Sequence, residues 1–256
     1  VAPEGALDIA FFDAIGFGTV VDSLSAIKTL VFEQKRLSMK ELLEALDCNF
    51  EGKEDIQALL QGAPSFGNGD LEVDTLGRML EKSALDFTAR YAGKNGVQPL
   101  EIRTTSVTAN VPHGKFVGAT PNGRKAWMPL SDGSSPSHGS DRNGPTAVLL
   151  SQYQSTNWNA ANRACRLLNM KMAPKTVEGE EGTKKLVDLI RAFINLRVWH
   201  LQMNIINRET LVAAQKDPQK YKNLVVRIAG YSAYFVDLSP DLQNDLIDRT
   251  EQENCD

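Results

Sequence analysis

Trp199-His200-Leu201-Gln202-Met203-Asn204-Ile205 is the stretch on which the class of the fold turns. Trp199, Leu201, Met203 and Ile205 alternate strictly with His200, Gln202 and Asn204, the period of a strand with one apolar and one polar face. Immediately before it the period is different. Leu186, Leu189, Ile190, Phe193 and Ile194 recur as on one side of an amphipathic helix. Immediately after it, Asn207 is placed to cap a helix running to about Lys216, Asp217-Pro218 ends that helix, and Leu224-Val225-Val226 reads as a second short strand. Strand, helix and strand at this spacing predict a parallel crossover unit. A last helix starts from Ser239 as N-cap with Pro240 in its first position, and turns Leu242, Leu246 and Ile247 inward. The class is α/β.

Further towards the N-terminus helices dominate. Leu24, Ile27, Leu30 and Val31 give residues 22–33 one buried face, and Ser38-Met39-Lys40-Glu41 is a capping box opening a helix whose stripe is Leu42, Leu43 and Leu46. Ile56, Leu59 and Leu60 mark a short third helix closed by Gly62, and residues 71–91 a longer fourth one. Residues 1 to about 95 are thus expected to be mainly helical. Between 110 and 146 the character changes: five of the chain's 11 prolines are interleaved there with six glycines. Phe116, Trp127, Met128 and Leu130 lie in the same segment, so it reads as an ordered, packed loop rather than a linker.

A chain of 256 residues, 42% hydrophobic and 23% charged, can bury a substantial core. A net charge of −4 argues against nucleic acid as a partner, because phosphate binding needs clustered Lys and Arg, which this chain spreads out. No stretch approaches the roughly 20 apolar residues of a membrane span, and the start lacks the features of a signal peptide, so a cytoplasmic protein is expected. Cys48, Cys165 and Cys255 form no C-x-x-C pair, and His113, His138 and His200 satisfy no ligand spacing; neither a disulfide framework nor a metal site is expected. The first residue is Val, and the apolar cluster Ile9, Phe11, Phe12, Ile15 and Phe17 has no earlier partner segment. The chain therefore reads as a piece of a longer polypeptide, with exposed apolar surface expected on the helices of its first 95 residues.

After the second short strand comes Arg227-Ile228-Ala229-Gly230-Tyr231-Ser232-Ala233-Tyr234-Phe235, which resembles the signature of the glycyl radical enzymes, the pyruvate formate-lyase superfamily. Its neighbours strengthen the likeness. Asn207-Arg208-Glu209-Thr210-Leu211 resembles the family's segment upstream of the signature, and Leu242-Gln243-Asn244-Asp245-Leu246-Ile247-Asp248-Arg249 its segment downstream. Gly118-Ala119-Thr120-Pro121-Asn122-Gly123-Arg124 and Asp141-Arg142-Asn143-Gly144-Pro145-Thr146-Ala147 are similar to the run that opens the family's radical domain. The resemblance implies the C-terminal part of a ten-stranded α/β barrel carrying the glycine loop, with residues 1–105 a mainly helical part of the barrel domain and 106–256 the glycyl radical domain.

The resemblance also implies a role for Gly230. A radical at an α-carbon is stabilised by the flanking amide nitrogen and carbonyl together, which needs a planar centre that only glycine leaves unopposed. No cofactor is expected to bind this polypeptide. A separate radical-SAM activase with an iron–sulfur cluster is implied as a partner, taking one hydrogen from Gly230, after which the radical is held away from solvent. In the family the radical passes to a cysteine in a Gly-Cys-Val-Glu-type motif, and no cysteine here has that context. The thiyl cysteine is therefore expected in an N-terminal part of the same enzyme, and this chain alone is expected to be inactive. The whole is expected to be a homo-oligomeric lyase or dehydratase cleaving a C–C, C–O, C–N or C–S bond. A second reading is a stand-alone radical module that docks onto and repairs an oxygen-damaged enzyme. Tyr231, Tyr234 and Phe235 are expected to pack around the loop and Arg227 to anchor the loop or a carboxylate, while His200, Gln202 and Asn204 receive no role.

Overall fold

In the computed structural model, which describes residues 10–90, 100–160 and 163–252, short parallel strands alternate with helical connections. Strand β1 (Ala10–Asp13) pairs in parallel with β2 (Leu100–Thr104), which pairs in parallel with β3 (Arg163–Arg166). Parallel neighbours need a crossover, and four helices supply the first: α1 (Phe17–Ala26), α2 (Met39–Asp47), α3 (Glu54–Gln61) and α4 (Leu71–Ala89). Asp13 and Arg103 stand opposite each other in the β1–β2 register, and the Arg103 fork donates to both Asp13 oxygens at 3.1 Å. Neither strand was anticipated from the local pattern, because four or five residues carry too few alternations to stand out.

The helical expectations hold with adjustments. Helix α1 starts earlier than its periodicity suggested and continues into a π-helical segment, Ile27–Glu33. The Ser38 capping box forms as expected, the Ser38 N–H donating to Glu41 Oε2 at 2.9 Å and the Glu41 N–H to Ser38 Oγ at 3.2 Å. Leu42 is buried, whereas Leu24 and Leu43 are exposed. Gly62 ends α3 at a φ of −83°, so this cap makes no special demand for glycine. Val20, Phe32, Met79 and Phe87 are also exposed, in line with the apolar surface expected on these helices.

The 110–146 segment contains α5 (Asn110–Gly114) and leads into α6 (Gly144–Gln154). Its order comes less from aromatic packing than expected, since Phe116, Trp127 and Met128 are exposed and Leu130 alone of the four is buried. Buried polar groups do the holding: Ser131, Asp132, Ser134 and Ser135 are all enclosed, and Arg124 donates to the carbonyls of Val117, Gly118, Lys125 and Met128.

The second half builds a parallel sheet in which β4 (Asn169–Met172) lies between β5 (Gln202–Ile205) and β8 (Glu251–Gln252). Helix α7 (Gly179–Asn195) makes the β4-to-β5 crossover, and its Leu189 packs with Val148, Leu149, Leu168, Met170 and Met172. Asn207 caps α8 (Arg208–Lys216) by accepting from the Thr210 N–H at 2.9 Å. The predicted parallel crossover from β5 through α8 does not form. Strand β6 (Val225–Arg227) instead pairs antiparallel with β7 (Ser232–Tyr234), and α9 (Pro240–Asp248) follows. The reason is visible at Arg227, whose backbone N–H and C=O are engaged by the Asn204 side chain rather than by the β5 backbone.

Candidate functional site

Three-residue strands cannot hold a hairpin by their ladder alone, so the β6–β7 turn depends on what packs beneath it. Val226, Ile228 and Phe235 are buried among Leu211 and Ala214 of α8 and Leu246 and Ile247 of α9. Arg227 stands opposite Ser232, and the Ile228 N–H donates to the Tyr231 carbonyl at 2.9 Å. Two residues, Ala229 and Gly230, make the connection. Ala229 is buried and Gly230 is exposed, so the turn surfaces at its glycine. Gly230 has a φ of +87°, a region that L side chains rarely adopt, and a Cβ placed on it would meet nothing within 4 Å. Backbone conformation rather than crowding is what asks for glycine here.

The turn is gripped from below by one side chain of β5. Gln202, 7% exposed, accepts through Oε1 from the Gly230 N–H at 2.9 Å and from Arg227 Nε at 3.1 Å, and donates through Nε2 to the Ile228 carbonyl at 3.0 Å. Gly230 N–H can only donate and Ile228 C=O can only accept, so a single orientation of the carboxamide satisfies both. Two residues along the same face, Asn204 accepts from the Arg227 N–H at 2.8 Å and donates to its carbonyl. Arg249, which ends α9, reaches the same turn: its Nη1 lies 3.3 Å from the Ile228 carbonyl, while Nη2 pairs with Asp132 and Asp245. The turn is thereby tied to the 110–146 segment.

The remaining candidates fall elsewhere. Arg227 anchors the loop as expected, through Gln202 and through Ser232 Oγ at 3.3 Å. Phe235 is buried, but Tyr231 and Tyr234 are exposed instead of packing around the turn. His113 is exposed, His138 Nε2 lies 3.6 Å from Asp245, and burial holds the His200 imidazole below its ordinary pKa. Cys48 is half-buried with its thiol near the carbonyls of Ala45 and Glu51, Cys165 is half-buried, and Cys255 lies outside the described residues. Burial raises the Cys165 pKa, which disfavours its thiolate. Among the described residues no group of three or more His, Cys, Asp or Glu is placed to hold a metal ion, and no helix is long and apolar enough to cross a membrane. A cavity of about 640 Å³ lies between α1, α3, the 110–146 segment and α9, but neither Gly230 nor Gln202 lines it.

Chemically, the arrangement presents an exposed glycine α-carbon with open space where a Cβ would stand and with its amide held by a buried acceptor. Exposure of Gly230 departs from the expectation that it is held away from solvent: the described residues leave it open. Sequence reasoning left Gln202, Asn204 and Arg249 without roles. The signal for the first two was their place on the polar face of an alternating strand, whereas nothing local distinguished Arg249.

Two family models match the chain: Pyruvate formate lyase-like over residues 5–114, and Glycine radical over residues 130–236, which includes the turn. The isethionate sulfite-lyase of Nitratidesulfovibrio vulgaris is 60% identical over 248 residues, covering 97% of this chain and 30% of that protein. The enzyme of the same name from Oleidesulfovibrio alaskensis is 58% identical over 251 residues, 98% of this chain and 30% of that one. The glycerol-bound B12-independent glycerol dehydratase from Clostridium butyricum superposes with a TM-score of 0.88 at 39% identity, over 96% of this chain and 31% of its own. The chain thus spans about 30% of the length of the curated relatives it matches.

Proposed function

The chain belongs to the glycyl radical enzymes, and on that premise we propose that Gly230 is the residue whose α-carbon carries the post-translationally formed radical. The observation that supports this reading is the turn itself. Within the matched radical region, Gly230 is exposed at a φ of +87° with nothing within 4 Å of where a Cβ would stand, and its N–H is held by Gln202. Loss of one hydrogen atom from that carbon to an S-adenosylmethionine-derived radical of a separate activase leaves a planar centre between two amides. A side chain would oppose that planarity.

The full-length polypeptide is proposed to be a homo-oligomeric, cytoplasmic lyase. The names borne by the 58% and 60% identical relatives favour C–S cleavage, the elimination of sulfite from isethionate, over the dehydration named for the 39% identical structure. Its thiyl cysteine is proposed to lie outside this chain, because none of Cys48, Cys165 and Cys255 stands in a Gly-Cys-Val-Glu-type context. Segments outside this chain are likewise proposed to cover the exposed Gly230. Residues 1–105 are proposed as part of the barrel domain and 106–256 as the radical domain; the two family matches, over 5–114 and 130–236, change over after residue 114.

Anaerobic incubation of the full-length protein with activase, reductant and S-adenosylmethionine should give an organic radical in electron paramagnetic resonance, split by the one remaining α-hydrogen. Gly230→Ala should abolish it. A radical that persists in that variant would place the site elsewhere, and activation of the parent protein without sulfite release from isethionate would set aside the substrate assignment alone.

A further inference from the structure

A radical on an α-carbon is distributed between an electron-donating amide nitrogen and an electron-withdrawing carbonyl. The hydrogen bond made by that N–H therefore touches the spin system directly. Here that bond ends on a side chain and not on backbone: Gln202 Oε1 accepts from the Gly230 N–H at 2.9 Å. The same carboxamide oxygen takes Arg227 Nε, and its nitrogen donates to the Ile228 carbonyl, so one group holds three polar atoms on both sides of the buried Ala229. Gln202 can act as a fixed reference because its backbone is locked into the β5–β4 pairing, with its N–H on the Leu168 carbonyl at 2.9 Å.

We propose that Gln202 is a positioning residue for the radical: it fixes the orientation of the Ala229–Gly230 peptide and, by accepting its N–H, strengthens nitrogen donation into the Gly230 α-carbon. This rests on the assignment of the radical to Gly230. The residue type follows from the geometry, since both an acceptor for Gly230 and a donor for Ile228 are needed at the same depth. Glutamate supplies only the first, leucine supplies neither, and asparagine is one methylene short of the turn. The neighbouring Asn204 holds Arg227, not Gly230, and serves as the comparison.

Two measurements on the full-length protein test the proposal, one of which needs no radical. In the unactivated protein, backbone hydrogen exchange over residues 228–234 should speed up roughly three- to tenfold in Gln202→Leu, the shift expected from losing about one net hydrogen bond. Gln202→Glu, which keeps the acceptor, should leave exchange at Gly230 close to the parent rate, the Ile228 carbonyl keeping its contact with Arg249. In the activated protein, Gln202→Leu should alter the nitrogen and α-proton hyperfine couplings of the radical, and Gln202→Glu should restore them towards the parent values. Asn204→Ala should change exchange at Arg227 with the couplings unmoved. Unchanged exchange in Gln202→Leu, or parental couplings in a folded Gln202→Leu radical, would overturn the proposal. Absence of any radical in the parent protein would instead remove the Gly230 assignment, with the exchange measurement still deciding whether Gln202 positions the turn.

Discussion

Arg249 Nη2 lies 3.0 Å from the Asp132 carboxylate, joining the end of the last helix to the middle of the proline- and glycine-rich segment. Both groups are almost fully enclosed, and Asp132 is further met by Ser106 and Asn169 while Arg249 is met by Asp245. Removing one member of such a cluster leaves the other charge buried without its partner. Arg249→Ala is therefore expected to cost about 3–5 kcal/mol in urea unfolding. A cost below about 1 kcal/mol would mean that the cluster is relieved by water.

Gly114 lies against the backbone of the same segment. A Cβ added there would stand 2.2 Å from the Met128 carbonyl oxygen and 2.9 Å from Pro129 Cα, and neither is the yielding end of a side chain. Gly114→Ala should lower stability by roughly 1–3 kcal/mol, the usual cost of overpacking. Gly118→Ala, where nothing lies within 4 Å, should stay within about 0.5 kcal/mol. Thermal melts of the two variants side by side check the contrast.

Burial raises the Asp22 carboxyl from 3.8 to about 7, against the opposing hydrogen bonds from Ser137 and Phe66. Its folded form thus keeps a proton that the unfolded chain has already lost. Between about pH 4 and pH 7 the folded state binds more protons, so this contribution to stability declines as pH rises and is flat above that window. Asp74, raised to about 7, and Asp141, raised to about 6, add slopes of the same sign, again through burial. Asp22→Asn, which keeps an acceptor for the Phe66 N–H, should make the decline shallower without abolishing it. Denaturation midpoints at intervals from pH 4 to pH 8 would show this, and parallel curves for parent and variant would refute it.

Exposure of Gly230 bears on how the activated protein fails. Oxygen adding to a carbon radical at that position gives a peroxyl product that breaks the backbone at residue 230, so air should release a C-terminal peptide beginning near Tyr231. Mass spectrometry of the activated, air-treated protein should find that peptide, and should not find it in Gly230→Ala. Scission at another residue would contradict the assignment.

What the sequence by itself determined is what a few neighbouring residues decide. The Ser38 capping box, the Asn207 cap and the helix before residue 200 formed as read, because each rests on contacts within about one or two turns of chain, whereas the strand after it is confined to Gln202–Ile205 and buries the polar Gln202 while Trp199 and Ile205 stay exposed. The nine-residue run around Gly230, with its flanking segments, was also enough to point to the family. Partner choice was not legible. Whether β6 would lie beside β5 or fold back on β7 depended on Asn204 occupying the backbone of Arg227, 23 positions away. The same holds for the enclosure of Asp132 by Arg249, and for Tyr231 and Tyr234, apolar in pattern yet left in the open. Only tertiary structure could turn Gln202 from one polar residue in an alternating strand into the group that holds Gly230, because hydrogen-bond geometry between distant segments exists only once both have been packed onto the same core.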